Sequence, residues 1–445
     1  MDDHLASLLL GSIAADNLVV FAGAGLSMAA PSSVPSARQL ATDCFAKYEK
    51  AIGTSLPPNT RDDLEAQCKF ALDRGELQKL FLDRLVDWRP FFGNPNKGHK
   101  TLADLLATRA LRSGVTTNVD FLVERAVEEL GKDVFESALD AAEAATMQWH
   151  QTYLKIHGCA RRDRRNTIWH KEQIVPGNVI QRRIDTSKTW LRANLLQKDL
   201  VLVGFWSDWD YLNSIFEECI RDCAGLEPRL VVVVDPQPAR ALEEKAPYLW
   251  NWANDPKRQF HHAQESGAEF LDELRRRFSL QFLERLIENA KDDYEVVTGR
   301  NYNRPRTFDS TLSADELYSL RRDVEGLSAS QIAREKTPGP HMNEVGTVHM
   351  RLVEAGAASA GPGYILNSKR IRVLQAAGRV LSLVKKRFDA EELPVGDDII
   401  ICVGASDDGD VPASIVRGSS SSSIMKPAAS SEWMSGDRAI VELRI

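Results

Sequence analysis

The feature that most constrains the fold of this chain is a short apolar run that leads into glycines. Leu18–Phe21 has the length and composition of a buried strand, and Gly23-Ala24-Gly25 and then Ser27 follow it. Glycine tolerates positive φ and lets a backbone N–H approach a phosphate, and the N-terminus of a following helix favours negative charge. Taken alone, the stretch fits a phosphate-binding turn and an ordinary strand-to-helix connection equally well.

Four further apolar runs also end at polar residues. They span residues 114–120, 151–158, 199–205 and 230–234, and the polar residues at or just beyond their ends are Asn118, Asp120, His157, Ser207, Asp208 and Asp235. Continuous apolar strands separated by helical segments indicate a parallel sheet covered on both faces, in which ligands bind at the carboxyl ends of the strands. The sequence therefore predicts an α/β fold with a Rossmann-like parallel sheet and a mostly helical insertion over residues 36–112.

The C-terminal part of the chain has a different pattern. Residues 265–290 predict one long helix, and the polar stretch 298–313 with Pro305 predicts a domain boundary. We expect a catalytic domain over 1–290, a linker over 291–312 and a smaller α+β region over 313–445. That region has predicted helices at Ala314–Glu325, Ser328–Glu335 and Asn343–Glu354, then a glycine-containing ribbon and strands at Ile399–Val403 and Ala439–Ile445. This order is typical of a winged helix, although a small assembly or sensor domain fits it as well.

Composition excludes several classes of protein. A net charge of −7 argues against a surface that coats nucleic acid generally, although it leaves a confined basic patch open. The six cysteines are scattered with no CxxC pair, which predicts a reducing environment without disulfides or structural zinc. The N-terminus lacks a signal-peptide pattern and no apolar run is of membrane-spanning length. We therefore expect a soluble, cytoplasmic protein without a membrane partner.

Four motifs in order resemble the sirtuin-like domain over about residues 5–285. They are GAGLS at 23–27, TTNVD at 116–120, HG at 157–158 and GFWSDWD at 204–210. The resemblance implies a Rossmann-like domain that binds NAD and attacks its nicotinamide–ribose bond. It implies Gly23, Ala24, Gly25 and Ser27 at the NAD phosphates, Asn118 and Asp120 at the nicotinamide ribose, and His157 as catalytic base. The NAD-binding residues that it implies are Gly23, Ala24, Gly25, Ser27, Thr117, Asp120, Gly204, Ser207 and Asp208.

Asn118 and His157 are the candidate catalytic residues, and their chemistry suits this bond. Its cleavage develops positive charge on the ribose as neutral nicotinamide leaves, in a state similar to that of glycoside hydrolysis. An amide can hold a water or a ribose hydroxyl without adding charge, and an imidazole can take a proton near neutral pH. The alternative for Asn118 is a cap at the end of a strand, and the alternative for His157 is a structural histidine.

The departures from the sirtuin pattern bear on the substrate. Protein deacylases of the family carry a zinc module of two cysteine pairs after the HG motif, whereas residues 159–203 contain only Cys159. Of the segment that follows the first glycine motif in deacylases, only Pro35 and Arg38 are loosely matched. The chain therefore looks more like the bacterial anti-phage enzymes that destroy NAD, so we expect NAD as substrate and no zinc.

The predicted function is thus NAD glycohydrolase, with release of nicotinamide and ADP-ribose. A protein deacylase or ADP-ribosyltransferase, and a non-catalytic NAD- or ADP-ribose-binding regulator that contacts DNA, are the alternatives. Because NAD destruction must be switched off at rest, we expect a homo-oligomer or a partner such as a defence ATPase or a sensor. The basic run Arg161–Arg165 fits a solvated loop, a pyrophosphate contact or a docking site for an acidic partner.

Overall fold

A computed structural model describes residues 1–132, 135–146, 151–195, 198–204, 229–328, 330–389, 398–406 and 431–445. Two compact units are present. The first comprises Met1–Glu129 and Val134–Leu274, and the second comprises Leu130–Asp133 and Arg275–Ile445. The boundary lies within the helix Gly267–Thr298, which confirms the predicted long helix and extends it into the segment expected to be a linker.

The first unit is built on a sheet whose six described strands are all parallel. In chain order they are β1 Leu18–Ala22, β2 Ser113–Thr116, β3 Tyr153–Lys155, β4 Asp199–Val203, β5 Leu230–Val234 and β6 Gln259–Ala263. Their order in the sheet is β3-β2-β1-β4-β5-β6, so β1 lies between β2 and β4. The predicted Rossmann-like parallel sheet is confirmed. The sequence does not predict β6, because its residues are half-exposed and include two histidines, so they form no continuous apolar run.

Helices cover the sheet and form the insertion between β1 and β2. The helices that begin in the first unit are Asp3–Ala14, Ala24–Met28, Ala37–Ile52, Leu64–Asp73, Lys97–Ala107, Leu122–Gly131, Ala141–Thr146, Val179–Leu195, Ala239–Lys245, Pro247–Ala253 and Gly267–Thr298, with a π-helix at Leu77–Leu85. The predicted helical insertion over 36–112 is confirmed. Ser36 starts it with a capping box in which its hydroxyl accepts the N–H of Gln39 and the Gln39 amide oxygen accepts the N–H of Ser36.

The second unit contains a mixed sheet in the order β11-β10-β9-β8-β7. Its strands are β7 Ala358–Ala360, β8 Gly363–Leu366, β9 Lys369–Gln375, β10 Ile399–Val403 and β11 Glu432–Ser435. β7, β8 and β9 form an antiparallel ribbon, and β9, β10 and β11 are parallel. The predicted ribbon and the strand at Ile399–Val403 are therefore present, and the sheet continues beyond what a winged helix would need.

The helices of the second unit correct two predictions. They are Ala314–Val324, Asn343–Glu354, Leu381–Asp389 and Gly436–Leu443. The predicted helix at Ser328–Glu335 is wrong: its described residues are irregular, and the N–H groups of Arg334 and Glu335 bond to the Glu325 carboxylate instead.

The predicted strand at Ala439–Ile445 is also wrong, because the chain is helical from Gly436 to Leu443. Ser435 caps this helix by accepting the N–H of Arg438, and Arg438 pairs with Glu442 one turn later. Among the described residues, no helix is long and apolar enough to cross a membrane.

Candidate active site

The glycine turn after β1 packs backbone to backbone against the end of β4. The N–H of Gly25 donates to the carbonyl of Gly204 at 2.9 Å, and the N–H of Gly23 donates to that of Val203 at 2.9 Å. A Cβ on Gly204 would lie 2.7 Å from backbone atoms of Gly25 and Leu26, and Gly204 has φ +54°. The glycines at 25 and 204 are thus required by this close approach. Ala24 and Gly25 are exposed beside it, whereas Gly23 is buried.

Ser27 is the hub of a buried polar network at the carboxyl edge of the sheet. Its side chain is 1% exposed. The hydroxyl donates to Oδ2 of Asp120 at 2.7 Å, accepts from Nδ2 of Asn118 at 2.9 Å, and lies 3.1 Å from Nε2 of His99. One donor and two acceptor positions of the hydroxyl are therefore all used. Ser27 acts here by holding other side chains in place.

His99 is the member of this network that sequence reasoning missed. Its Nδ1 accepts the backbone N–H of Asn96 at 3.2 Å, so in the neutral ring the proton is on Nε2, which donates to Ser27. Burial lowers the pKa of His99 to about 4, and the charge of Lys155 adds to this while Asp120 opposes it. His99 is therefore neutral at physiological pH, as this arrangement requires.

A local signal for His99 was available in the sequence. Asn96 caps the helix Lys97–Ala107 by accepting the N–H groups of Gly98 and His99, and its own amide donates to the carbonyls of Leu26 and Ala29. The capping segment therefore ties this helix to the glycine turn. An Asn that is followed three residues later by a His could have been read as a capping box.

Asn118 has its amide orientation fixed by two hydrogen bonds. Nδ2 donates to the carbonyl of Gly23 at 3.0 Å and to Oγ of Ser27 at 2.9 Å, and the backbone N–H donates to Oγ1 of Thr116. The residue is half-buried, as is Thr117. Among the described residues no group donates to Oδ1 of Asn118, so this oxygen remains able to accept from a ligand or a water.

Asp120 is buried and its carboxylate serves the network. Oδ2 accepts from Ser27, and Oδ1 accepts the N–H of Leu122 at 3.2 Å. Its backbone carbonyl accepts from Nζ of Lys155, which also lies 2.8 Å from Oε1 of Glu124. Burial disfavours the charge of Lys155, but the neighbouring Glu124, Cys159 and Asp120 outweigh it and hold the pKa of Lys155 above its ordinary value.

His157 follows β3 at the same edge of the sheet. Its neighbour Ile156 donates its N–H to Thr116, and Ala160 donates to Val119, which brings the HG turn beside the Asn118 segment. His157 is 4% exposed. Burial, with the charge of Arg183, lowers its pKa to about 3, so the ring is neutral at physiological pH.

Arg183 fixes the HG turn from the helix Val179–Leu195. Its guanidinium pairs with Asp163 and donates to the carbonyl of Asn166 at 2.9 Å. Gly158 has φ +88°, and a Cβ there would lie 2.8 Å from a guanidinium nitrogen of Arg183. The glycine of the HG motif is therefore required both by its backbone conformation and by this contact.

The basic run Arg161–Arg165 is largely neutralised within the first unit. Arg162 pairs with Glu143 at 3.0 Å, Arg161 and Arg165 lie within 4.0 Å of acidic side chains, and Arg164 stacks over Trp88. These contacts favour the solvated-loop interpretation. Ser207 and Asp208 lie outside the described residues. Within the described ranges no group of three or more His, Cys, Asp or Glu side chains could hold a metal ion.

The parallel sheet, with a polar cluster at its carboxyl edge, defines a Rossmann-type α/β domain, and in sheets of this kind ligands bind at that edge. Residues 112–255 match the family model described as the SIR2-like domain. The chain is thus similar to the SIR2-like domain over this segment, most of which lies in the first unit. A comparison with curated proteins finds no match.

Solved Sir2 structures align with 62% of the chain. A Sir2 homologue–NAD complex is 17% identical, with 62% of this chain and 92% of that chain covered and a TM-score of 0.34. An S24A mutant–ADP-ribose complex of a Sir2 homologue is 18% identical, with 62% and 96% covered and a TM-score of 0.36. A Sir2–p53 peptide–NAD+ structure is 15% identical, with 62% and 97% covered and a TM-score of 0.34. At these values the likeness carries no argument about activity.

Proposed function

We propose that the first unit hydrolyses NAD to nicotinamide and ADP-ribose, in the cytoplasm. The observation that carries the proposal is the fixed amide of Asn118. Both of its N–H groups are bound within the protein, so its oxygen is held at the strand edge as an acceptor. An acceptor prepared in this way can orient a water or a ribose hydroxyl without rearrangement during the reaction.

The proposed step balances without an added oxidant or metal. The bond from the ribose carbon to the nicotinamide nitrogen breaks, and its electron pair leaves with nicotinamide. A water oxygen bonds to that carbon, and the water gives up one proton. The Asn118 oxygen would accept a hydrogen bond from the attacking water, and His157 would take the proton. His157 is neutral, so one ring nitrogen can take the proton, and its lowered pKa makes it a weaker base than a free imidazole.

Recognition of the dinucleotide would use the glycine turn. Ala24 and Gly25 expose backbone beside the site, and the absence of side chains at Gly25 and Gly204 keeps the strand ends close together. Backbone N–H groups in such turns suit pyrophosphate oxygens. Ser27 and Asp120 would contribute indirectly, because their polar atoms are already bound to one another.

Consumption of NAD itself is favoured over acyl-lysine chemistry by the sequence around the site. Residues 159–203 contain only Cys159 in place of two cysteine pairs, and that residue is buried. Arg38, one of the two loose matches to the deacylase segment, forms an exposed ion pair with Asp62 at 2.9 Å.

The test is nicotinamide release from NAD, followed by chromatography and mass spectrometry on the purified full chain. Asn118→Ala and His157→Ala should each reduce turnover by about 10²-fold or more, as expected for loss of positioning or of a general base. Asn303→Ala and His4→Ala change exposed residues of the same types and should retain activity. Undiminished turnover in both site variants would contradict the assignment.

The same assay separates the alternatives. Release of nicotinamide that depends on an added acylated or nucleophilic acceptor would indicate a deacylase or an ADP-ribosyltransferase. Saturable NAD binding without product, together with salt-sensitive DNA binding, would indicate a regulator. We further propose that a second copy or a defence partner, such as an ATPase or a sensor, controls the activity in an anti-phage setting. Light scattering and the NAD assay on the co-purified complex test this.

A further inference from the structure

The two edge strands of the sheet in the first unit, β3 and β6, differ in how they are covered. At β3, the N–H of Ala138 donates to the carbonyl of Tyr153 and the N–H of Lys155 donates to the carbonyl of Ala138, each at 2.8 Å. At β6, no backbone group of the described residues bonds to the side that faces away from β5. An uncovered edge strand presents N–H and C=O groups that can pair with another strand.

The hydrogen bonds at the two ends of β6 show which of its residues face outward. The N–H of Gln259 donates at 2.6 Å to the carbonyl of the residue just before β5, and the carbonyl of Ala263 accepts at 3.2 Å from the residue just after β5. Backbone groups of successive residues point to alternate sides of a strand. The N–H and C=O groups of Phe260 and His262 therefore point away from β5.

The five residues of β6 include none of the features that usually protect an edge strand. The segment QFHHA contains no proline, no lysine and no acidic residue, and it pairs with β5 without a bulge. The rings of Phe260 and His262 pack on Trp250, with centroids 5.2 and 5.7 Å apart. The strand is thus fixed on its inner side and on one face, while its outer edge is open to a partner strand.

The sequence around β6 is complementary to itself in the antiparallel direction. When Phe260 lies opposite His262 of a second copy, twofold symmetry also places His262 opposite the second Phe260, and each pair can exchange two backbone hydrogen bonds. The same register brings Lys257 toward Glu265 of the second copy at both ends of the strand pair. Lys257 is exposed, and Glu265 is partly exposed beside the N-terminal amino group. Unlike charges therefore meet at both ends.

We propose that two copies of this chain associate by antiparallel pairing of β6 with β6, which joins the two parallel sheets into one continuous sheet. A twofold dimer is the commonest form of homo-oligomer, and a self-complementary strand satisfies its symmetry. This edge is the surface through which the second copy proposed to control the activity would bind. The pairing itself does not depend on NAD hydrolysis, because β4 and β5 separate β6 from the glycine turn after β1.

The test is sedimentation equilibrium of the full chain over a range of concentrations, without NAD. Lys257→Glu and Glu265→Lys should each weaken self-association by about tenfold or more, because each substitution places like charges opposite one another at both ends of the strand pair. The double variant restores unlike pairs and should associate within about threefold of the wild type. Lys171→Glu reverses the charge of an exposed lysine in the segment after β3 and is the matched control, which should associate normally.

His262→Pro removes one outward N–H and no hydrogen bond to β5, so it should weaken self-association and leave the circular dichroism spectrum unchanged. Weakening in both charge-reversed variants that is reversed in the double variant supports the proposal. A chain that stays monomeric at its highest soluble concentration overturns it. Equal association of the wild type, Lys257→Glu and His262→Pro overturns it as well, because another surface would then hold the copies together, and so does a double variant as weak as the single ones.

Discussion

The ion pair of Lys155 and Glu124 beneath the candidate site offers the sharpest test of the structure. The Nζ and Oε1 atoms are 2.8 Å apart, and both side chains are 1% exposed. Lys155 also donates to the backbone carbonyl of Asp120. Replacing Lys155 by Met keeps most of the side-chain volume and removes the charge, so the carboxylate of Glu124 is left buried without its cation.

The expected cost follows from that geometry. Removing one partner of a buried ion pair typically destabilises a protein by ~3–5 kcal/mol, because the remaining charge has neither water nor a counter-ion. Glu124→Gln should cost a similar amount by leaving the ammonium of Lys155 unpaired. The double variant leaves no buried charge from this pair. The stability that it loses should therefore be smaller than the sum of the two single losses by about 2 kcal/mol or more.

The assay is urea unfolding at neutral pH, followed by tryptophan fluorescence and circular dichroism. Lys69→Met is the control, because Lys69 pairs with Asp73 at a partly exposed surface and should cost less than about 1 kcal/mol. If Lys155→Met costs no more than this control, or if the two single losses simply add, the reasoning from burial and pairing is refuted.

Three further outcomes are expected. Gly204→Ala should destabilise the protein by about 2 kcal/mol or more, because the added Cβ would lie 2.7 Å from backbone atoms and the residue has φ +54°. Gly177→Ala is the control: the residue has φ +83° but no atom within 4 Å of the added Cβ, so it should cost about 1 kcal/mol by thermal melting. Because the pKa of His99 is lowered to about 4, the contribution of this residue to stability is present above pH ~6.5 and should fall by about 2 kcal/mol between pH 7 and 5. His99→Asn should flatten this pH dependence of the unfolding free energy in urea titrations, and an unchanged pH dependence would contradict the prediction. Arg183→Met should cost about 2–4 kcal/mol of stability, because it removes the buried guanidinium that pairs with Asp163. Arg182→Met changes an exposed residue of the same helix and should alter stability by less than ~0.5 kcal/mol; equal effects of the two substitutions would contradict the role given to Arg183.

The sheet of the first unit could be predicted because its signal is local. Three of the five predicted apolar runs match β1, β4 and β5 closely, and the runs at 114–120 and 151–158 overlap the shorter β2 and β3. β6 could not be predicted in this way, since its half-exposed residues carry no continuous apolar pattern. In the second unit, alternating apolar residues predict a strand at Ala439–Ile445, but the same pattern also fits the short amphipathic helix Gly436–Leu443 that the structure contains.

The sequence by itself determined which residue types stand at the carboxyl ends of the strands, because strand length and glycine position follow from short local stretches of sequence. Only the tertiary structure decided what those residues do. Ser27 and His99 are 72 positions apart, and their contact exists because the helix cap at Asn96 folds back onto the glycine turn. Burial then set the protonation of His99 and His157, which no local pattern encodes, since the free energy of a charge depends on the whole surrounding structure.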